Sequence, residues 1–140
     1  MKIFMDTSAY IAYYNVRDKN HDAARSFIER IIGEEFGPVM FYTSDYVFDE
    51  VVTVIFKLTG NKDLAVKVGE YILRSRVTRI INVDESIFND AWKLFTRYRD
   101  KDWSFTDCVS FTIMSKFNIK SAFTFDRHFK QAGYKMLPQL

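Results

Sequence analysis

The chain has 140 residues, enough for one compact domain and too few for two ordinary ones. Its 48% hydrophobic, 17% aromatic and 27% charged residues make a globular composition rather than a disordered or fibrous one. Twenty basic against 18 acidic residues leave +2 at pH 7, which excludes a strongly basic nucleic-acid arm but not nucleic acid as a substrate.

Lys2-Ile3-Phe4-Met5 is a short apolar run ending at Asp6, as expected of a buried parallel strand. Thr7 and Ser8 open a helical stretch from Ala9 to Val16. Asn20 is placed to cap a second helix, His21 to Glu35, in which Ala24, Phe27, Ile28, Ile31 and Ile32 recur at helical spacing until Gly37-Pro38 breaks it. Val39 to Tyr42 reads as a second buried strand. Thr43 or Ser44 then caps a third helix that reaches Leu58 and stops at Gly60. Asn61 starts a fourth helix, to about Ser75, and Val77 to Val83 reads as a strand. Asp84 caps a fifth helix, to about Tyr98, and Ser104 a sixth, to about Phe117. Ser121 to Phe125 is strand-like. Asp126 begins a short helix ended by Gly133, and Tyr134 to Leu137 closes the chain as a strand. Strands alternating with helices or helix pairs predict an α/β domain over residues 1–140, with a central, mainly parallel sheet of about five strands and helices on both faces. Ligands of such sheets sit at the carboxyl ends of the strands.

Cys108 is the only cysteine, and His21 and His128 are the only histidines. An internal disulfide, a cysteine zinc site and a His-rich metal site are therefore excluded. Any bound metal is expected to be held by oxygens, which favours Mg²⁺ or Mn²⁺. No apolar run approaches the roughly 20 residues of a membrane span, and the N-terminus has no signal-peptide pattern. A reducing, cytoplasmic setting is the expectation.

Four carboxylates stand out. Glu50 lies three residues after Val47 and four before Val54, on the helix stripe formed by Val47, Val51, Val54, Ile55 and Leu58. A carboxylate there is costly unless it is paired, bound to a cation or at the stripe edge. Asp107 shares a stripe with Trp103, Phe111 and Met114, and also fits a capping box with Ser104. Asp6 and Asp126 each follow a strand, where each could be a plain N-cap. Taken together, two strand ends and two helices can bring all four to one edge of the sheet. Four carboxylates so close repel one another, and the cluster persists at neutral pH only with bound cations or raised pKa values. A bound divalent ion can activate water and stabilise charge on a phosphodiester. No phosphate-cradling glycine loop or Ser/His/Asp arrangement is present. Asp6 is followed by Thr7 and Ser8, which disfavours an aspartyl-nucleophile phosphatase, and it has no acidic neighbour of the kind a phosphoacceptor receiver domain requires.

These motifs carry a family resemblance. Met5-Asp6-Thr7-Ser8-Ala9-Tyr10 resembles the opening of a PIN domain, and Ser44 to Val52 resembles its glutamate helix. Asp102-Trp103-Ser104-Phe105-Thr106-Asp107-Cys108 is similar to the third acidic motif, and Phe123 to Phe129 to the fourth. The end of the chain, Gln131-Ala132-Gly133-Tyr134 with Leu137, is similar to that of small VapC-type toxins. The resemblance spans essentially the whole chain and implies a Mg²⁺- or Mn²⁺-dependent endoribonuclease that hydrolyses RNA to leave a 5′-phosphate. It implies a toxin held inactive by a VapB-type antitoxin, and a homodimer. By motif position it assigns Asp6, Glu50, Asp107 and Asp126 as catalytic and metal-binding residues, with Asp6 and Asp107 as direct ligands. A housekeeping RNA-processing nuclease and a non-catalytic RNA- or protein-binding PIN module are the alternatives.

Around these positions, Thr7, Ser104 and Thr124 are candidates to hydrogen-bond the carboxylates or substrate. Asp45 and Asp102 are read as solvated, and Arg127 and His128 as a solvated helix face within reach of a phosphate. Arg74, Arg76 and Arg79 form a basic patch that can meet an RNA backbone. Cys108 is read as a small buried apolar residue. The aromatics Tyr10, Tyr13, Tyr14, Phe48 and Phe56 are read as core, or as the surface that the resemblance assigns to an antitoxin.

Overall fold

The structure, a computed structural model, describes residues 1–139. Five short strands, β1 (Lys2–Met5), β2 (Met40–Ser44), β3 (Thr78–Ile81), β4 (Ser121–Phe123) and β5 (Lys135–Leu137), form one sheet in the order β3-β2-β1-β4-β5. Every pairing in it is parallel. The connections are α1 (Thr7–Tyr14) and α2 (His21–Ile32), then α3 (Asp45–Thr59) and α4 (Lys62–Arg74), then α5 (Glu85–Arg97) and α6 (Phe105–Lys116), and finally α7 (His128–Gln131). The chain runs outward from β1 to β2 to β3, then returns past both to lay β4 against the other side of β1. Right-handed crossovers consequently put α1 to α4 on one face and α5 to α7 on the other. Packing of α1 on α2 and α3, of α3 on α4, and of α6 on α5 and α7 agrees with that division.

The reversal leaves a topological switch point between β1 and β4, where Met5 pairs with Phe123. The residues that follow, Asp6 and Thr124, emerge side by side at the carboxyl edge. Beneath them the core is aromatic: Phe4, Phe27, Phe123 and Phe129 are all fully buried. Phe123 meets Phe27 at a centroid distance of 4.8 Å, and Phe111 meets Phe129 at 5.0 Å, both edge-on. Thr43 reaches across from β2 and donates its hydroxyl to the Met5 carbonyl at 3.0 Å, which fixes the end of β1.

Local signals decide where the elements start. Asp6, Ser44, Asn61, Asp84 and Ser104 each cap the following helix through the side chain. Gly60 ends α3 at φ 63°, a left-handed conformation that glycine adopts without a Cβ penalty. Differences from the sequence expectation lie in the element ends, in one helix cap and in one helix face. Asn20 makes no side-chain cap; it donates its backbone N–H to Asp18 instead. β4 stops at Phe123 because the residues after it turn toward Asp6. Leu58 is 60% exposed, off the stripe formed by Val47, Val51 and Ile55.

Candidate active site

Asp6 is 5% exposed and ends β1 as the cap of α1. Its Oδ2 accepts from the Ser8 hydroxyl at 2.7 Å and the Thr124 hydroxyl at 2.8 Å. Ser8 Oγ in turn accepts from the Phe125 N–H, and Thr124 Oγ1 from the Asp126 N–H, each at 3.0 Å. Two hydroxyls thus stitch the loop after β4 onto Asp6 and aim the rest of its carboxyl outward. Burial pushes the Asp6 carboxyl up to about 6; the Ser8 and Thr124 hydrogen bonds oppose that rise, and the charges of Asp107 and Asp126 add to it.

Asp107 reaches the same place from the first turn of α6. It closes a reciprocal capping box: its Oδ2 accepts from the Ser104 N–H, while Ser104 Oγ accepts from the Asp107 N–H, both at 3.0 Å. Capping and site membership, alternatives in the sequence, coexist in one side chain. Burial raises this carboxyl as well, against the Ser104 N–H and His128, and Asp126 raises it further. Asp126 is half-buried and fixed through Oδ1 by the His128 N–H at 2.9 Å.

His128 is the residue that sequence reasoning missed. Its side chain does not lie on a solvated face. Nδ1 sits 2.9 Å from Asp107 Oδ2 and 3.3 Å from Asp126 Oδ1, between the two carboxylates. Asp107, Asp126 and His128 are the one group of metal-competent side chains among the described residues whose ligand atoms all lie within 4.8 Å of one another. The only cue in the sequence was the position of His128 two residues after Asp126. Its partnership with Asp107, 21 residues away, follows from the placement of α6 beside α7.

Glu50 stands apart from this trio. It lies half-buried at the edge of the α3 stripe and lines an open groove with Asp45, Tyr46, Asp49 and Thr106. It is not among the charges that raise Asp6 or Asp107. Thr106, the residue before Asp107, connects the groove to the carboxylates. Among the secondary candidates, Thr124 contacts Asp6, and Ser104 holds Asp107. Thr7 does not bond a carboxylate: its hydroxyl is buried without a hydrogen-bond partner, and Ser8 does that work. Asp45 is not merely solvated, since its Oδ1 accepts from the Val83 N–H at 3.0 Å and ties α3 to the exit of β3. Asp102 and Arg127 are exposed. Arg74 pairs with Glu70, and Arg79 lies over the rings of Tyr42 and Phe117. Burial pushes the Cys108 thiol up to about 11, so this cysteine is inert packing.

The donor set suits a hard divalent cation. Carboxylates converge from two strand ends and a helix start, burial and the neighbouring charges oppose the ionisation of Asp6 and Asp107, and each carboxylate is already oriented by hydrogen bonds. The PIN domain model matches residues 3–134. The chain belongs to the PIN-domain family. Within it, the sequence is 31% identical, over 94% of this chain and 95% of the relative, to the 23S rRNA-specific endonuclease VapC20 of Mycobacterium tuberculosis. The crystal structure of that protein, a sarcin–ricin loop cleaving toxin, superposes with a TM-score of 0.84 at 30% identity and covers 94% of this chain and 95% of that one. VapBC2 of Rickettsia felis shares the fold at 13% identity with a TM-score of 0.69, covering 97% of each chain. FitAcB of Neisseria gonorrhoeae does so at 17% identity with a TM-score of 0.63, covering 97% of this chain and 96% of that one. This PIN domain is therefore a nuclease of the VapC type. No helix among its described residues is long and apolar enough to cross a membrane.

Proposed function

We propose that residues 1–140 form a single PIN domain acting as a Mg²⁺- or Mn²⁺-dependent endoribonuclease, the VapC-type toxin of a cytoplasmic toxin–antitoxin pair. The boundary at Leu140 lies outside the described residues. The convergence of Asp6, Asp107 and Asp126 at the switch point between β1 and β4 carries this reading. In it, Asp6, Glu50, Asp107 and Asp126 are the catalytic and metal-binding residues. A divalent ion held by these carboxylates would supply activation of water and would offset charge on the phosphodiester. Ser8 and Thr124 hold Asp6 by one oxygen, so that its other oxygen faces the site. The Ser104 capping box does the same for Asp107. Glu50, in the groove beside Thr106, orders water on the substrate side. Attack of that water on phosphorus breaks the bond to the 3′-oxygen; the water gives up a proton, the 3′-oxygen takes one up as a hydroxyl, and a 5′-phosphate is left.

Two apolar surfaces support the proposed partners. Phe56, Val66 and Leu73 are exposed along the α3–α4 groove, where an apolar segment of a VapB-type antitoxin is proposed to lie. Phe88, Trp92 and Phe95 are exposed on α5, with Trp92 stacked on Phe95 at 5.7 Å, and this ridge is assigned to a homodimer contact. The decisive experiment measures cleavage of RNA, beginning with 23S rRNA, by the wild type and Asp6→Asn in Mg²⁺ and in Mn²⁺. Metal-dependent cleavage by the wild type and a loss of at least about 100-fold in Asp6→Asn is expected. Equal activity in the two proteins would refute the site.

A further inference from the structure

We infer that His128 is a metal ligand, and that it makes this carboxylate site a mixed nitrogen–oxygen site that prefers Mn²⁺, or a later transition ion, to Mg²⁺. The inference rests on the metal-dependent reading above and departs from the oxygen-only ligand set expected from the sequence. Three observations carry it. Nδ1 of His128 lies 2.9 Å from Asp107 Oδ2 and 3.3 Å from Asp126 Oδ1. Ligand atoms at right angles around an ion with bonds of about 2.1 Å are separated by roughly 3 Å, so these spacings suit neighbouring positions of one coordination shell. The backbone that carries the imidazole is fixed: the His128 backbone N–H donates to Asp126 Oδ1, and the Asp126 backbone N–H donates to Thr124 Oγ1. Finally, the ring is half-buried, which limits the ways it can turn out to solvent.

Two carboxylate acceptors face Nδ1, so in the metal-free protein that nitrogen is the donor. A metal ion held by Nδ1 would require the other neutral tautomer, so the hydrogen that Nδ1 carries in the metal-free protein would move to Nε2 and the ring would stay neutral. Imidazole nitrogen suits transition ions, whereas Mg²⁺ selects oxygen. His128 therefore acts on metal choice, a property the four acidic residues do not provide.

The test uses the full chain and three proteins: wild type, His128→Ala and His128→Asn. Mn²⁺ and Mg²⁺ binding are measured by calorimetry, and Mn²⁺-loaded samples are examined by pulsed EPR for coupling to a ligand ¹⁴N. The expected results are ¹⁴N coupling in the wild type alone, Mn²⁺ affinity lower by about tenfold or more in both variants, and Mg²⁺ affinity changed by less than about twofold. His128→Asn retains a hydrogen-bond donor for Asp107 but offers no ring nitrogen. If His128 only oriented the carboxylates, this variant would bind Mn²⁺ like the wild type, and the inference would be overturned. Tighter Mn²⁺ binding by His128→Ala would overturn it too, because the ring would then be an obstacle that the ion displaces. A parallel fall for both ions has the same consequence. A wild type that binds neither ion overturns the metal-dependent reading itself; one that binds both without regard to His128 overturns this inference alone.

Discussion

Asp6 shows how one side chain can be costly to the fold and necessary to the site. Its carboxyl gives up a proton near pH 3.8 when solvated and near 6 in the folded, metal-free protein, chiefly because of burial. The folded state thus binds more protons than the unfolded state between these values, and stability falls as pH rises through that window. A shift of about two units corresponds to about 3 kcal/mol, present below the lower value and lost above the upper one. Asp6→Asn removes the ionisation and keeps an oxygen for Ser8 and Thr124. In chelator, it should melt several degrees above the wild type at pH 7.5 and near it at pH 4, although it is expected to be inactive. Calorimetric melting curves across that range check this, and a constant offset at every pH would contradict it. Asp6, Asp107 and Asp126 were legible in the sequence only as a set: each alone fits a helix cap, but the order of strands and helices brings them to one sheet edge. Ser8 and His128 were not. The role of Ser8 depends on which hydroxyl the turn after β1 directs at Asp6, two residues away, and on its meeting Thr124, 116 residues on; that of His128 depends on α7 packing beside α6, a contact that bridges 21 residues.

At the scale of elements, periodicity and capping chemistry made the sequence readable. Four of the expected side-chain caps, Ser44, Asn61, Asp84 and Ser104, are observed, because each side chain satisfies an otherwise open N–H at its helix start. Helix faces were less legible. Spacing alone placed Glu50 and Leu58 on the α3 stripe, but the buried face is set by α1, α4 and β2 packing on that helix, and it excludes Leu58. Gly69 shows how close the α4 contact is. A Cβ at this position would meet Phe48 and Val52 of α3 at 3.3 Å each, so the glycine is what lets the two helices approach. Gly69→Ile gains some helix propensity but forces atoms into that seam. The expected outcome is a net destabilisation of about 1–3 kcal/mol in denaturant unfolding. A variant as stable as the wild type would show that the helices separate without cost.

For the molecule as a whole, the parallel sheet and its strand reversal collect acidic groups from β1, α6 and the exit of β4 at one edge. The +2 net charge conceals this: without Asp6, Glu50, Asp107 and Asp126, the chain would carry +6. An acidic pocket set in a basic body can attract an ion locally while tolerating an RNA backbone around it. The consequence is a thermodynamic coupling between metal, pH and fold. Protons and a divalent cation compete for the same carboxylates, and burial raises both Asp6 and Asp107, so the ion should stabilise the folded chain little at pH 4.5, where Asp6 holds its proton, and strongly at pH 7.5. A cation at 100 times its Kd, binding the folded state alone, contributes about 2.7 kcal/mol. Scanning calorimetry of the wild type with and without Mn²⁺ should therefore show a rise in Tm of several degrees at the higher pH and almost none at the lower. Asp107→Asn, which retains the cap of α6 through its amide oxygen, should lose most of that rise. A metal-induced shift equal at both pH values, or undiminished in Asp107→Asn, would mean that the ion binds elsewhere on the surface.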